Sequence, residues 1–298
     1  MKKVFALSIG LMMAVSVFGQ SIKVTPALKK GMVKTYTVAT TITATGQTVN
    51  MNAERKYTIT KETPEGYEMT LETTGIKSDN SGENLLGRLA TLSEEMMNDC
   101  KVQMRLNKEG KVLGMINYED VKEKSNLAAK KLIDELFESA PEISQLLKKE
   151  QLQEQIVNEL TQERLTQSLT VSSSPLALFG RTIVSGMEDK YDNGMVTLKR
   201  IWLVTGKKIG ASAKTDMSRE ELKNFIIKQV EKTAPQQADM IKENIDAALE
   251  SGLLKLDINE KSSYELADDF WVKSMESSME NDMMGQKNGT VVKIVLKD

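Results

Sequence analysis

The chain has 298 residues, 40 of them basic and 42 acidic, with a net charge of −2 and no histidine. This balance excludes the basic footprint needed to bind nucleic acid or an anionic membrane surface. The missing imidazole excludes Ser-His-Asp and Cys-His nucleophiles, histidine-ligated zinc and the usual proton shuttle at neutral pH.

Met1 to Gly19 reads as a secretory signal peptide. Lys2 and Lys3 precede an apolar run from Val4 to Phe18, and Val17-Phe18-Gly19 stands ahead of Gln20. A run of about 15 residues falls short of the ~20 that cross a bilayer. No cysteine stands at the expected cut to carry a lipid anchor. The expectation is a periplasmic or secreted protein, soluble once the signal is removed, with no membrane span and with residues 20–298 forming a single domain. Its one cysteine, Cys100, alternates with Val102, Met104 and Leu106 and is expected to be a small buried hydrophobe.

Period-two alternation opens the mature chain, as half-buried strands require. Tyr36, Val38, Thr40 and Ile42 share one face of a first strand, and Val49, Met51, Ala53, Tyr57 and Ile59 one face of a second. Thr45-Gly46-Gln47 turns between them, and Thr63-Pro64-Glu65-Gly66 turns into Tyr67, Met69 and Leu71. A short helix is expected around Leu85 to Met97. Strand pattern returns from Cys100 to Leu106, turns at Asn107-Lys108-Glu109-Gly110 and runs on to Ile116.

The period then changes. A helical block at about 120–170 carries Leu127, Ala128, Leu132, Ile133, Leu136 and Phe137. Past Pro141 it continues with Ile143, Leu146, Leu147, Ile156, Val157, Leu160 and Leu169, until Ser172-Ser173-Ser174-Pro175 ends it. A hairpin follows, Val196 to Thr205 and Ile209 to Ala213, turning at Gly206-Lys207-Lys208. A second helical block at about 217–251 starts at the capping-box pair Ser218 and Glu221. Strands resume at Tyr264, turn at Asp268-Asp269, turn again at Asn288-Gly289 and close with Thr290 to Leu296. Gly31-Met32 and Tyr36 are echoed by Gly186-Met187 and Tyr191, and Ala140-Pro141 by Ala234-Pro235, a hint of internal duplication.

No motif commits the chain to a chemistry. Met275, Met279, Met283 and Met284 could ligate copper, but without histidine they read as core or as the lining of an adaptable cavity, and the segment reads as a strand. Asp257-Ile258-Asn259 lacks the glycine and glutamate of a calcium loop, and Asp189, Asp192 and Asn193 lack its spacing; both sets read as turn residues. Nucleotide-binding and α/β-hydrolase signatures are absent. No cofactor and no metal are expected.

These elements add up to an α+β fold, a curved, half-barrel-like antiparallel sheet with two amphipathic helical pairs packed on it. Gly31-Met32 opening a meander, helices inserted between strand blocks and a C-terminal hairpin led by Trp271 resemble secreted half-barrel envelope proteins of the lipoprotein-carrier, LolA-like type. The layout also resembles that of uncharacterised secreted proteins. The carrier resemblance implies a cleft between sheet and helices that takes acyl chains. On that reading the protein is a non-catalytic binding protein of the bacterial envelope, its partner a hydrophobic small molecule or lipid. The candidate lining is Tyr36, Val38, Met51, Tyr57, Met69, Met104, Trp202, Trp271 and Met275. The alternatives are a structural module that docks another envelope protein and, less favoured, a hydrolase that works with carboxylates alone.

Overall fold

The computed structural model describes residues 19–44, 46–79, 86–88, 90–92, 98, 100–139, 141, 144, 148–192, 196–233, 238–251, 254–283 and 286–297. Residues 1–18 of the expected signal peptide, both Ala-Pro steps as pairs, and Ile143, Leu146 and Leu147 lie outside them.

The alternating segments become long antiparallel strands. β1 (Ser21–Val24) is followed by β2 (Val33–Ala44), β3 (Gln47–Thr63), β4 (Gly66–Ser78), β5 (Cys100–Asn107) and β6 (Val112–Met115). The expected turns join them: β2 and β3 meet at Ala44 and Gln47, and β3 and β4 at Thr63 and Gly66. Between β5 and β6, the Asn107 side chain accepts the backbone N–H groups of Glu109 and Lys111, which folds the turn. Residues 86–88 and 90–92 are helical, in the segment expected to hold a short helix.

Among the described residues the helical block after β6 holds three α-helices, where a pair was expected. They are α1 (Tyr118–Ser139), α2 (Lys149–Glu159) and α3 (Gln162–Ser168). The break between α2 and α3 is chemical: Thr161 caps α3 by accepting the N–H of Arg164 at 3.2 Å. A 3₁₀ turn, Pro175–Leu178, then enters the core, all four residues buried, with Ser174 as its cap.

The chain continues through β7 (Arg181–Val184), β8 (Glu188–Asp192), β9 (Thr197–Thr205) and β10 (Lys208–Thr215). Next come α4 (Arg219–Thr233), α5 (Ala238–Glu250), β11 (Leu256–Leu266), β12 (Val272–Met283) and β13 (Gln286–Leu296). The capping box of α4 forms as expected: Ser218 N–H donates to Glu221 at 2.7 Å, and Glu221 N–H to the Ser218 hydroxyl at 3.2 Å.

One antiparallel sheet runs β6-β5-β4-β3-β2-β13-β12-β11-β10-β9-β8, and β1 pairs separately with β7. It is not closed into a barrel. One face carries the core, as the alternating burial along β9, β10 and β11 shows. A second, smaller cluster joins Leu198, Ala213 and Ile258 to Leu222 and Phe225 of α4. Among the described residues no helix is long and apolar enough to cross a membrane.

The echo in the sequence is structural. Strands β2–β6 and β8–β12 cross the sheet in the same order, with β13 between the two runs. Gly31 and Gly186 adopt φ of 84° and 82°, the left-handed region that favours glycine. Gly31 N–H donates to Ile59 and Met32 accepts from it; Gly186 and Met187 make the same pair of bonds with Trp202. The helical blocks, however, do not correspond. Helices α4 and α5 leave the sheet after β10, which matches the segment after β4, whereas α1–α3 link the two runs.

Two turn assignments are corrected. Asn288-Gly289 lies inside β13, and β12 and β13 pair down to Met283 with Gln286, so the dipeptide is ladder rather than turn. Asp257 and Asn259 sit in β11, and Asp189 and Asp192 in β8. Local turn preference gives way here to the ladder pairing of neighbouring strands. The segment with Met275 and Met279 is strand, as expected.

Candidate functional site: a cleft between sheet and helices

The inner face is filled first by aromatic side chains. Tyr36, Tyr57, Trp271 and Phe179 form a chain of edge-on contacts with centroids 5.6, 6.3 and 5.1 Å apart. Three polar tips that burial would strand find carbonyls: Tyr36 donates to Val272 at 2.9 Å, Trp271 to Ala27 at 3.0 Å, and Tyr264 to Ser172 at 2.6 Å. Burial raises the Tyr36 and Tyr264 phenols well above their ordinary value, so they act as fixed donors.

Beside this core the sheet and helices do not close completely. A cavity of about 240 Å³ lies between β3–β5 and the helical block. Its floor is Tyr57, Leu71 and Val102; Met115 closes the β6 side. Val121, Lys124, Ser125 and Ala128 roof it from α1, and Leu165, Ser168 and Leu169 from α3. The α1 residues recur at i, i+3, i+4 and i+7, one stripe of a helix. Two bonds pin the roof to the sheet edge and to itself. Gln162 donates to the Met115 carbonyl at 3.4 Å, and the Tyr118 hydroxyl to Leu160 at 2.9 Å.

Arg55 also lines the cleft. It occupies an inward position of β3 between Ala53 and Tyr57. For the Tyr57 phenol, burial is the largest influence and raises its pKa; the charge of Arg55 and hydrogen bonds from Ser174 and Arg55 pull it the other way. Cys100 is half-buried and lines the cleft, rather than being sealed in the core.

On the other side of α3 the inner face is polar. Asp189 accepts Arg200 Nε at 2.9 Å and Nη2 at 2.8 Å, Arg181 at 2.6 Å and the Trp202 indole at 3.1 Å. The Arg200 guanidinium lies 4.3 Å from the Tyr191 ring centroid and 4.4 Å from that of Trp202, a cation–π sandwich. Burial raises the Asp189 pKa, but Arg200, then Arg181 and Trp202, outweigh it and hold the carboxyl at about 2. Next to this cluster, buried Glu260 accepts the Tyr191 hydroxyl at 2.5 Å. An open groove of about 500 Å³ follows, bounded by Arg164, Arg181, Arg200, Tyr191 and Asp192. Ser168 and Val171 border both cavities, so α3 and the loop after it divide them.

The residues expected to line a ligand site fall mostly in the packed core. Tyr36, Val38, Tyr57, Met69, Met104, Trp202, Trp271 and Met275 belong to one buried cluster, and Met51 is half-buried. Of these, Tyr57 lines the cleft. The sequence reading missed Arg55, Leu165 and Leu169. Arg55 had a legible signal: it interrupts the apolar inward positions Val49, Met51, Ala53, Tyr57 and Ile59. For the α3 residues no local signal shows which face meets the sheet.

No family model matches the chain, and no curated protein matches it. Among solved structures, lipovitellin, in a structure describing its lipid–protein interactions, aligns at TM-score 0.40 and 10% identity, over 91% of this chain and 26% of that one. The chain thus spans about a quarter of lipovitellin's length. The outer membrane channel from Pseudomonas putida F1 aligns at TM-score 0.20 and 7% identity, over 92% of this chain and 98% of that one. DynF of dynemicin biosynthesis from Micromonospora chersina aligns at TM-score 0.19 and 11% identity, over 93% and 84%.

Proposed function

We propose that this is an exported, non-catalytic binding protein that holds a hydrophobic ligand in the cleft between β3–β5 and helices α1 and α3. The observation that carries this reading is the cavity itself. Leu71, Val102, Met115, Val121, Ala128, Leu165 and Leu169 face it, and an apolar surface left open inside a fold favours an apolar guest. The resemblance to half-barrel carrier proteins points to the same cleft. The lining contains neither histidine nor carboxylate, so the carboxylate-pair hydrolase weighed from the sequence has no pair to converge there.

Docking of a protein partner on a sheet edge has less support. The edge strands β6 and β8 are 4 and 5 residues long, and Glu188, Asp189, Lys190 and Asp192 charge β8. Short, charged edges resist added strands.

Native mass spectrometry of the protein purified from its own cell envelope tests the reading. A bound apolar molecule is expected, and Ala128→Trp, which fills the cleft from the exposed helix side, is expected to remove it. A clean apo mass for the unmodified protein under gentle conditions would overturn the proposal.

A further inference from the structure

We infer that the cleft selects a single-chain amphiphile with an anionic head, a medium-chain carboxylate, gripped by Arg55 with Lys124 at the rim. This rests on the binding reading above and adds the ligand's charge and size to it.

Charge carries the argument. The cleft lining holds two cations, Arg55 and Lys124, and no Asp or Glu. Among the described residues, the ion pairs that form leave both without a carboxylate partner. Two comparable cations on the sheet are paired. Lys56, next to Arg55 on the outer face, reaches Glu72 at 3.7 Å. Arg200, the inward arginine of the other half, is neutralised by Asp189 at 2.8 Å. Arg55 is half-buried, and a guanidinium among apolar walls is costly without a partner. Its charge acts on the Tyr57 phenol, opposing the rise that burial causes there, but a neutral phenol does not neutralise it. A carboxylate offers the two parallel acceptors that a guanidinium fork matches.

Size sets the chain. The cavity of about 240 Å³ is smaller than the roughly 300–1,000 Å³ of pockets that enclose a drug-sized ligand. That size suits one medium-length chain better than the pair of a diacyl lipid. The head would stand at Arg55, and Lys124, exposed on α1, would add attraction from the rim.

Isothermal titration calorimetry of the purified protein with decanoate and with decanol, both below micelle formation and at low salt, separates charge from chain. Decanoate is expected to bind at least about tenfold more tightly than decanol, the scale of a charge-assisted pair. Arg55→Gln should erase that preference while keeping decanol binding, and Arg55→Lys should retain part of it. Lys124→Gln, at an exposed site, should weaken decanoate by about two- to threefold, an effect that salt suppresses. Equal binding of decanoate and decanol by the unmodified protein would overturn the inference even if Arg55→Gln failed to fold, and would leave the cleft proposal standing. Tighter binding of a dispersed diacyl phospholipid than of decanoate would overturn the single-chain part. If neither decanoate nor decanol binds, the cleft reading falls, and this inference with it.

Discussion

The two halves of the sheet share a backbone plan and fill it with different chemistry. Strands β2–β6 begin at Gly31-Met32 and strands β8–β12 at Gly186-Met187, with matching turns and matching bonds to the next strand. In the first half Tyr57, Met69 and Met104 make the inner face apolar, and the helical roof leaves a cleft beside it. In the second half Asp189, Arg181 and Arg200 lock into a charged cluster around Trp202. Strand pairing satisfies backbone groups whatever the side chains are, so one plan tolerates both fillings. The difference teaches that two inward arginines on one plan meet different neighbours: Arg55 lines its cavity without a carboxylate, while Arg200 borders its groove already neutralised by Asp189.

The comparison can be broken by substitution. The largest effect is expected for Trp271→Ala, whose fully buried ring contacts Tyr57 and Phe179; denaturant unfolding should show a loss of about 3–5 kcal/mol. That loss should be insensitive to pH, because apolar packing carries it.

Asp189→Asn should cost less, about 1–2 kcal/mol at neutral pH once partial exposure is allowed for. Its pH dependence is the sharper signature. The native Asp189 carboxyl is held at about 2, below its ordinary 3.8. The unfolded state therefore takes up the proton first as pH falls. The stabilisation is fully present above about pH 4 and disappears as pH drops through about 2. The stability gap between the parent protein and Asp189→Asn should narrow over that window. A constant gap would show that the second half is held by packing like the first.

Gly31→Ala and Gly186→Ala test the shared plan. Each forces a side chain into left-handed φ, at a cost of about 1–2 kcal/mol. Equal losses in thermal unfolding would confirm equivalent turns; a loss confined to one half would break the parallel. The smallest effect is expected from Ser218→Ala, about 0.5–1 kcal/mol from the α4 cap. It should leave the first half's hydrogen-exchange protection unchanged.

Much of this was legible in the residues. Alternation placed the strands, because a half-buried sheet needs an apolar residue at every second position. The turns at Gly46, Gly66 and Gly110 were readable because their φ is positive. Asn288-Gly289 misled for a related reason: the dipeptide favours a tight turn locally, but its pairing with Glu280 and Asn281 across β12, and of Gly289 with Thr43 on β2, holds it in the ladder. The run Pro175–Leu178 followed by Phe179 read only as the end of a helix. Its cap and proline were visible; its role as the central plug depended on contacts such as Phe179 with Trp271, across the chain.

The sequence by itself determined most of the long strands, the α4 cap, the absence of imidazole chemistry and the glycine echo, all of which depend on neighbours in the chain or on composition. Only the tertiary structure decided that β13 lies between the two runs, that α3 divides the inner face, and that Arg55 faces a cavity with no carboxylate. Those outcomes depend on which side chains distant segments bring together, and an alternating pattern records which face a residue takes but not what it will meet there.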